Sequence, residues 1–481
     1  MKSNKSPLSN GIICHVWVFL LLMFAVSCAK DLPETEAETI KEIVSFSLKN
    51  SNGVAFDTAE IKITFKDDTI KVNLPAGTAT TNLTPEIVIK GKTIEPGSGI
   101  AQNFDQPVHY VVTAQDGSSK EYVVMVSLAK LSGTLFFGAS DNTFYALDIN
   151  SGTLKWKYSS TDGFVYSSAT YKNGVVYVGG IDSYVYAFNA ANGSVLWKFK
   201  AGDAGIESDA VIVDNTVYVG SNDDYLYAID AGTGNLKWKF LTGSNVSASP
   251  VVENGIVYFG SSDGNLYALQ ASTGDLVWKY QTGAMINQSG PCLVNGTIYV
   301  GSRDTYLHAV DALTGVEKWK FSANGISLEM SSPTVADGIV YIGGWYDIPG
   351  FTSKGSVYAV NAGTGELVWE GLPDKGFSGS PCVKNGRLFI SCDDGYINAL
   401  DITNGSLLWR KQILPNGSSP AEVNGIVYIG GGGTRYYYAL DAATGNEVWR
   451  FPIPNGIMAS SPLIVDDAGE TGYSGDSGIK Q

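Results

Sequence analysis

Eight tryptophans recur along this chain at a nearly constant interval, and few architectures tolerate that interval. They are Trp156, Trp197, Trp238, Trp278, Trp319, Trp369, Trp409 and Trp449, with successive gaps of 41, 41, 40, 41, 50, 40 and 40 residues. Each ends a copy of one phrase, of which residues 223–238, DDYLYAIDAGTGNLKW, are a clear example. Apolar residues alternate within the phrase, the period of a strand, and a glycine stands four residues ahead of every tryptophan, where a hairpin must turn. A repeat of about 40 residues built from short strands predicts a β-propeller, one four-stranded blade per repeat.

The turns order the strands within a blade. Asn254-Gly255 separates two apolar runs and recurs as Asn173-Gly174, Asn295-Gly296, Asn385-Gly386 and Asn424-Gly425, with Asp337-Gly338 as a near equivalent. Asn-Gly accepts the positive φ that a two-residue hairpin demands at both central positions. This turn joins strands a and b, and the glycine before each tryptophan joins c and d. The first repeat begins at strand b, near residues 133–138, while an unmatched strand a appears at 460–465. The expected propeller is therefore eight-bladed and closed by its C-terminal strand, leaving no free sheet edge. Residues 469–481 remain as a tail, whose stretch 472–478 resembles a further strand b with its place already filled.

The rest of the chain reads differently. Residues 1–27 have the form of a signal peptide: Lys2 and Lys5, an apolar run over 11–26, then small residues before Cys28. Residues 28–39 are polar and acidic, as a tether would be. Residues 40–128 alternate in short runs, such as 61–65 and 122–126, between Gly, Asn, Asp and Pro, and predict an antiparallel β-sandwich. Cys382 and Cys392 flank Asn385-Gly386, but that turn pairs 382 with 389 and puts 392 on the other face, so no disulfide is expected.

Lys plus Arg number 32 against 47 Asp plus Glu, a net charge of −15. Such a surface repels phosphate backbones and anionic headgroups, so no nucleic-acid partner is expected and the membrane is reached only through an anchor. The histidines beyond the leader are His109 in the sandwich and His308, in the slot that Tyr186, Tyr227 and Tyr267 hold elsewhere. A histidine-built triad or zinc site is thus not expected. Asp141, Asp182, Asp223, Asp263, Asp304 and Asp394 recur between strands b and c, and a residue repeated in so many blades reads as turn chemistry rather than as a calcium site.

Several resemblances sharpen this reading. The small residues before Cys28 resemble a bacterial lipobox, which implies acylation there; an ordinary leader with an incidental cysteine is the alternative. The acidic segment resembles the export signal of Bacteroidota surface lipoproteins, and residues 107–122 resemble an immunoglobulin-like domain common near the N-terminus of such proteins. The repeats resemble the pyrroloquinoline quinone propeller family: Ala146, Asp148, Gly152 and Trp156 match its motif, as do Ala228, Asp230, Gly234 and Trp238. Dehydrogenases of that family carry adjacent cysteines over the quinone, a calcium site and a catalytic aspartate beneath long roofing loops. Here no two cysteines are adjacent and seven of eight repeats are close to minimal. No catalytic residue, cofactor or metal is therefore expected.

The a–b and c–d turns are tight and share one face, so the irregular d–a and b–c loops on the other face are the expected binding surface. The d–a loops are expected to carry Tyr166, Glu207, Asn245, Asn287, Glu329, Phe377 and Met458 toward the axis. Small residues, namely Ser249, Gly290, Ser332, Ser380 and Ser419, start the crowded inner strands. The 50-residue gap holds an insertion with Trp345 and Tyr346, and the last repeat holds Arg435 and Tyr436; these aromatics either reach a partner or pack the loop bases. A lipid-anchored propeller without catalytic groups resembles the propeller lipoproteins of the outer-membrane β-barrel assembly machine, which are scaffolds. That implies an outer-membrane protein, facing periplasm or cell surface, that binds a protein partner in envelope or outer-membrane protein assembly. Glycan binding is the alternative, and quinone-dependent oxidation ranks behind both.

Overall fold

The computed structural model describes residues 39–50, 55–56, 61–74, 78, 80–129, 132–346, 355–373, 375–415, 417–454, 460–466 and 471–472. These described residues form two compact units, one from residue 39 to Ser127 without Thr78, the other from Leu128 onward with Thr78. The leader, Cys28 and the acidic segment lie outside the described residues.

The first unit holds two sheets. Strand Glu42–Lys49 pairs antiparallel with Thr84–Lys90, and a five-stranded sheet runs in the order Lys62–Lys66, Thr69–Leu74, Ser119–Leu128, Val108–Thr113, Thr93–Glu95. Alternation decides which side chains are inside: Ile70, Val72, Leu74, Tyr110, Val112, Tyr122 and Val124 are buried, as are Phe46 and Leu48 of the smaller sheet. Phe46 meets Tyr110 edge to face at 6.4 Å.

The second unit is a propeller of eight blades, all β. Blade 3 shows the pattern: strand a, Val211–Val213; b, Thr216–Gly220; c, Tyr225–Asp230; d, Leu236–Leu241, neighbours in that order and antiparallel. Asp230 organises the c–d turn, since its carboxylate accepts the Thr233 amide and hydroxyl, both at 2.9 Å. Those hydrogen bonds, the side-chain one foremost, hold its pKa below the usual carboxylate range. Blade 1 closes the ring as the strand arithmetic requires. Leu463–Asp466 lies antiparallel to Gly133–Ala139, with Leu463 opposite Phe136 and Asp466 opposite Gly133. The tail is not wholly left over, because Thr471–Gly472 pairs with Leu463–Asp466 as a fifth strand.

Neighbouring blades are joined by the repeated tryptophan. Trp156 Nε1 donates to the Ala190 carbonyl at 2.8 Å, Trp197 to Ala231 at 2.9 Å and Trp238 to Ala271 at 3.0 Å. The series continues around the ring until Trp449 donates to Ile149 of blade 1 at 3.1 Å. Under each indole lies the turn glycine of the next blade, so close that an added Cβ would meet ring atoms at 2.5–2.8 Å. In five blades a strand b tyrosine donates to the same carbonyl as the tryptophan, as Tyr218 does to Ala271 at 3.0 Å.

The repeated aspartates serve the b–c turns. Asp182 accepts the Tyr184 amide and the Tyr186 hydroxyl, and Asp141, Asp223 and Asp263 do the same for their own blades. His308 takes over from the tyrosine in blade 5, where Nε2 lies 3.0 Å from Asp304. Cys382 faces Phe389 in the a–b hairpin, the register that excludes a bond to Cys392, and both thiols are free. Burial pushes the Cys382 thiol up to about 12.

Two outcomes are expected from this architecture. Gly234→Ala places a Cβ at φ +74° and 2.8 Å from the Trp197 ring. Left-handed strain of about 1–2 kcal/mol adds to overpacking of about 1–3 kcal/mol. Gly255→Ala, at φ +77° with nothing within 4 Å, carries the strain alone. Urea unfolding of the two variants separates the terms, and equal losses would show that the indole does not press on the turn. Truncation before Ser460 should abolish cooperative unfolding by stripping blade 1 of strand a, while truncation after Asp466 should leave it intact; matching melts would refute the closure.

Candidate functional site

The d–a segments meet at the propeller axis, and the residue that opens each inner strand is small or polar. In order around the ring these are Ser168, Asp209, Ser249, Gly290, Ser332, Ser380, Ser419 and Ser461, each followed by proline or alanine. Proline suits the first position of an innermost strand, having no N–H to satisfy. The opening residues form a belt. The Ser168 amide donates to Asp209 Oδ1, the Asp209 amide to Ser249 Oγ at 3.1 Å, and the Gly290 amide to Ser332 Oγ at 2.9 Å. Ser332, Ser380 and Ser419 amides then donate to Ser380, Ser419 and Ser461 Oγ at 2.9, 2.9 and 3.1 Å. Buried amides need acceptors, and a short hydroxyl side chain supplies one without crowding the axis.

Alternation assigns the two positions before the opener. The nearer one turns outward into its own blade, where Ser167, Ser289, Ser331, Ser418 and Ser460 Oγ accept the amides of Gly179, Gly301, Gly343, Gly430 and Gly138 at 2.9–3.2 Å. The farther one turns inward. Tyr166, Glu207, Ser247, Gln288, Met330, Ser378 and Gly417 all hold that place, and all line an axial cavity of about 300 Å³. Asp209, Ser249, Ser380, Ser419 and Ser461 of the belt, with Val165, Ser418 and Ser460, complete its wall. The described lining residues include two carboxylates, an amide and many hydroxyls, and no lysine, arginine or histidine. Burial, and then the nearby Glu207 charge, raise the pKa of the Tyr166 hydroxyl.

The residues picked from sequence fall unevenly on this frame. Tyr166, 42% exposed, and Glu207 line the cavity. Asn287, Glu329 and Phe377 stand one position too early, and Asn245 two, so the structure does not place them on the cavity wall. One step along an extended chain reverses a side chain's direction. Phe377 is wholly buried between blades with Leu388 and Ile390. Glu329 is 3% exposed, with Oε1 3.7 Å from Arg303 Nε and Oε2 lacking a hydrogen-bond partner. Burial raises its pKa, which Arg303 partly offsets. Asn287 Nδ2 lies 3.9 Å from the Met330 sulfur, and the Asn245 amide reaches Asp224 and Asn222 at 3.3 Å. Met458 falls outside the described residues.

The other candidates lie off the axis. The Trp345 amide donates to Ser327 O at 2.8 Å, Tyr346 is 44% exposed, and the remainder of the insertion is outside the described residues. Arg435 is exposed at φ +61°. Tyr436 lies under the Arg450 guanidinium at 4.5 Å, the place that Tyr225 holds under Lys239 at 3.9 Å and Tyr396 under Arg410 at 3.6 Å. Tyr436 therefore packs strand c on strand d, as its equivalents do. Sequence reasoning passed over Asp209, Ser247, Gln288, Met330 and Ser378; a count of two back from the residue before each proline would have found the last four.

Comparison with known proteins separates fold from chemistry. Quinohemoprotein alcohol dehydrogenase ADH-IIG of Pseudomonas putida is 31% identical over 144 residues, which is 25% of this chain and 19% of the enzyme. The chain thus spans about a fifth of that relative. The crystal structure of BamB from Moraxella catarrhalis superposes with a TM-score of 0.51 at 21% identity, covering 66% of this chain and 90% of that one. The computationally designed Ika8 protein gives 0.52 at 19% identity, covering 63% and 91%. Both likenesses concern the fold. The quinone of the dehydrogenases is a tricarboxylate, and a cavity walled by Glu207 and Asp209 with no basic residue among its described lining does not fit it. Residues 43–126 match the model of the SGBP N-terminal domain. Overlapping matches over 126–205, 181–342, 303–416 and 393–469 cover most of the chain with the model of the outer membrane protein assembly factor BamB, and the chain belongs to that family.

Proposed function

We propose that this is a non-catalytic, lipid-anchored protein of the outer membrane whose axial face holds a glycan. The observation that carries the reading is the cavity itself: concave, shared by all eight blades, and walled by hydroxyl, amide and carboxylate groups with the exposed Tyr166 ring among them. Sugars are recognised by such groups together with an aromatic face. The match to the SGBP N-terminal domain supports the same reading. Its non-catalytic character is supported by the lining serines, which have no histidine or lysine among the described lining residues to activate them. Anchoring rests on Cys28 at the end of the leader.

A protein-interaction scaffold is the second reading, favoured by membership of the BamB family. Both use the same face, and one set of variants separates them. On the glycan reading, Tyr166→Ala and Gln288→Ala should each weaken binding to an array-identified sugar about tenfold, near 1.4 kcal/mol, with unchanged melting temperature. An array silent at every sugar, beside a crosslinked protein partner lost in the same variants, would establish the scaffold instead. Cys28→Ser should release the protein into the soluble fraction, and mass spectrometry of an unacylated mature N-terminus would sink the anchor.

A further inference from the structure

Among the described residues, blade 1 alone carries a fifth strand. Its sheet runs from strand d, Leu154–Ser159, through c and b to strand a, Leu463–Asp466, and then to Thr471–Gly472. Strand a is the innermost of each blade, so the added strand lies on its axial side, within the ring that the strands a form. Pairing is antiparallel, with Gly472 opposite Ile464 and Thr471 opposite Val465. The direction of the chain follows. Strand a runs from the cavity wall, at Ser460 and Ser461, toward the a–b turn face, and the added strand leads back toward the cavity.

The distance left to cover is short. Three residues separate Ile464 from Ser461, about 10 Å of extended chain, and Pro462 between them has no N–H with which to prolong a ladder. The nine residues after Gly472, YSGDSGIKQ, extend up to about 30 Å. Strands a of successive blades pack side by side, blade 1 on blade 2 and blade 7 on blade 8 among them. A chain aimed along that ring therefore has the cavity ahead of it. The composition suits the passage, since glycine recurs at 469, 472, 475 and 478 with serine at 474 and 477, and glycine lets one backbone approach another closely. Carried on in the register of Thr471–Gly472, Gly475 comes level with Ser461 and the belt. The cavity, about 300 Å³, has room for a few such small residues rather than for the whole tail.

We infer that the C-terminal tail enters the axial cavity from the a–b turn side and seats residues 475–478 there, so that the chain occupies its own site. A ligand arriving from the loop face displaces the tail, and its apparent affinity is lowered by the fraction of molecules in which the tail is seated. This seating is independent of the glycan reading and applies equally to a protein partner.

Two measurements test it. In the full chain, Ser477→Cys is combined either with Gln288→Cys on the cavity wall or with Glu253→Cys at the exposed end of a strand a on the turn face, and the products of mild oxidation are mapped by peptide mass. The disulfide should form in the first pair and not in the second. Separately, the Gln288→Cys thiol is titrated with a small methanethiosulfonate reagent, the unsubstituted protein giving the background of Cys292, Cys382 and Cys392. It should react at least about tenfold faster in a chain ending at Gly472 than in the full chain, with equal melting temperatures. Should the shortened chain melt lower, Gly475→Trp in the full chain takes its place, because an indole level with the belt bars the tail and should expose the thiol to the same degree. A disulfide in the second pair, or in neither, would overturn the inference. So would equal reaction rates with and without the tail, whatever the crosslink.

Discussion

The structure depends on one contact made eight times, an indole of one blade seated on the turn of the next. The tryptophan contributes apolar area and a hydrogen bond, and the turn contributes a carbonyl and a glycine with no Cβ to obstruct the ring. Neither half works alone. A side chain on the glycine would collide with the indole, and without the indole the turn carbonyl would lose the Nε1 donor it meets in every blade. Such a hydrogen bond adds only about 1 kcal/mol, so strength comes from repetition around a closed circuit. Closure is why the C-terminal strand matters: the last indole, Trp449, docks on Ile149, a residue of the blade that Leu463–Asp466 completes.

That contact also divides the propeller into a fixed face and a free one. The c–d turns are committed to receiving tryptophans, and the a–b turns to the positive φ of Asn-Gly, so neither has freedom to specialise. The d–a segments carry a lighter burden. Their opener must give the belt an acceptor and their penultimate residue must serve strand b, but the residue two positions before the opener lines the cavity, Ser247 and Ser378 also donating to Asn222 and Asp393 of the b–c loops. There the chain places Tyr, Glu, Ser, Gln, Met, Ser and Gly in seven successive blades. Such variety at one position of an otherwise strict repeat is what a ligand-facing position allows.

Most of the fold was legible in the sequence because its determinants are local and repeated. The tryptophan spacing, the turn glycines and Asn-Gly pairs led to the blade order, the closing strand and the pairing of Cys382 with Phe389. The axial wall was legible only in part. Tyr166 and Glu207 were reached, but Asn287, Glu329 and Phe377 were each one residue out of register, and Asn245 two. Strand a is only three residues long in most blades, and the d–a loops differ in length, so no period runs through them to set the count. The residue before the strand a proline was the usable anchor. Tyr436 was indistinct for another reason: a tyrosine flattened under an arginine reads the same in sequence as one offered to a partner.

Departure from a repeat is evidence of function only when it changes the chemistry. His308 replaces a tyrosine yet still meets the b–c aspartate, at 3.0 Å, and Tyr280 lies 2.9 Å from its other nitrogen. The substitution preserves the contact and adds nothing that faces solvent. Gly290 removes a belt acceptor, and an added Cβ there would lie a tight 3.2 Å from the Ser249 carbonyl. Asp209 is different. It preserves the belt and adds a charge where serine had already met the structural need, beside a second charge on Glu207. Asp209 thus changes the chemistry of the cavity wall while the belt it joins stays the same.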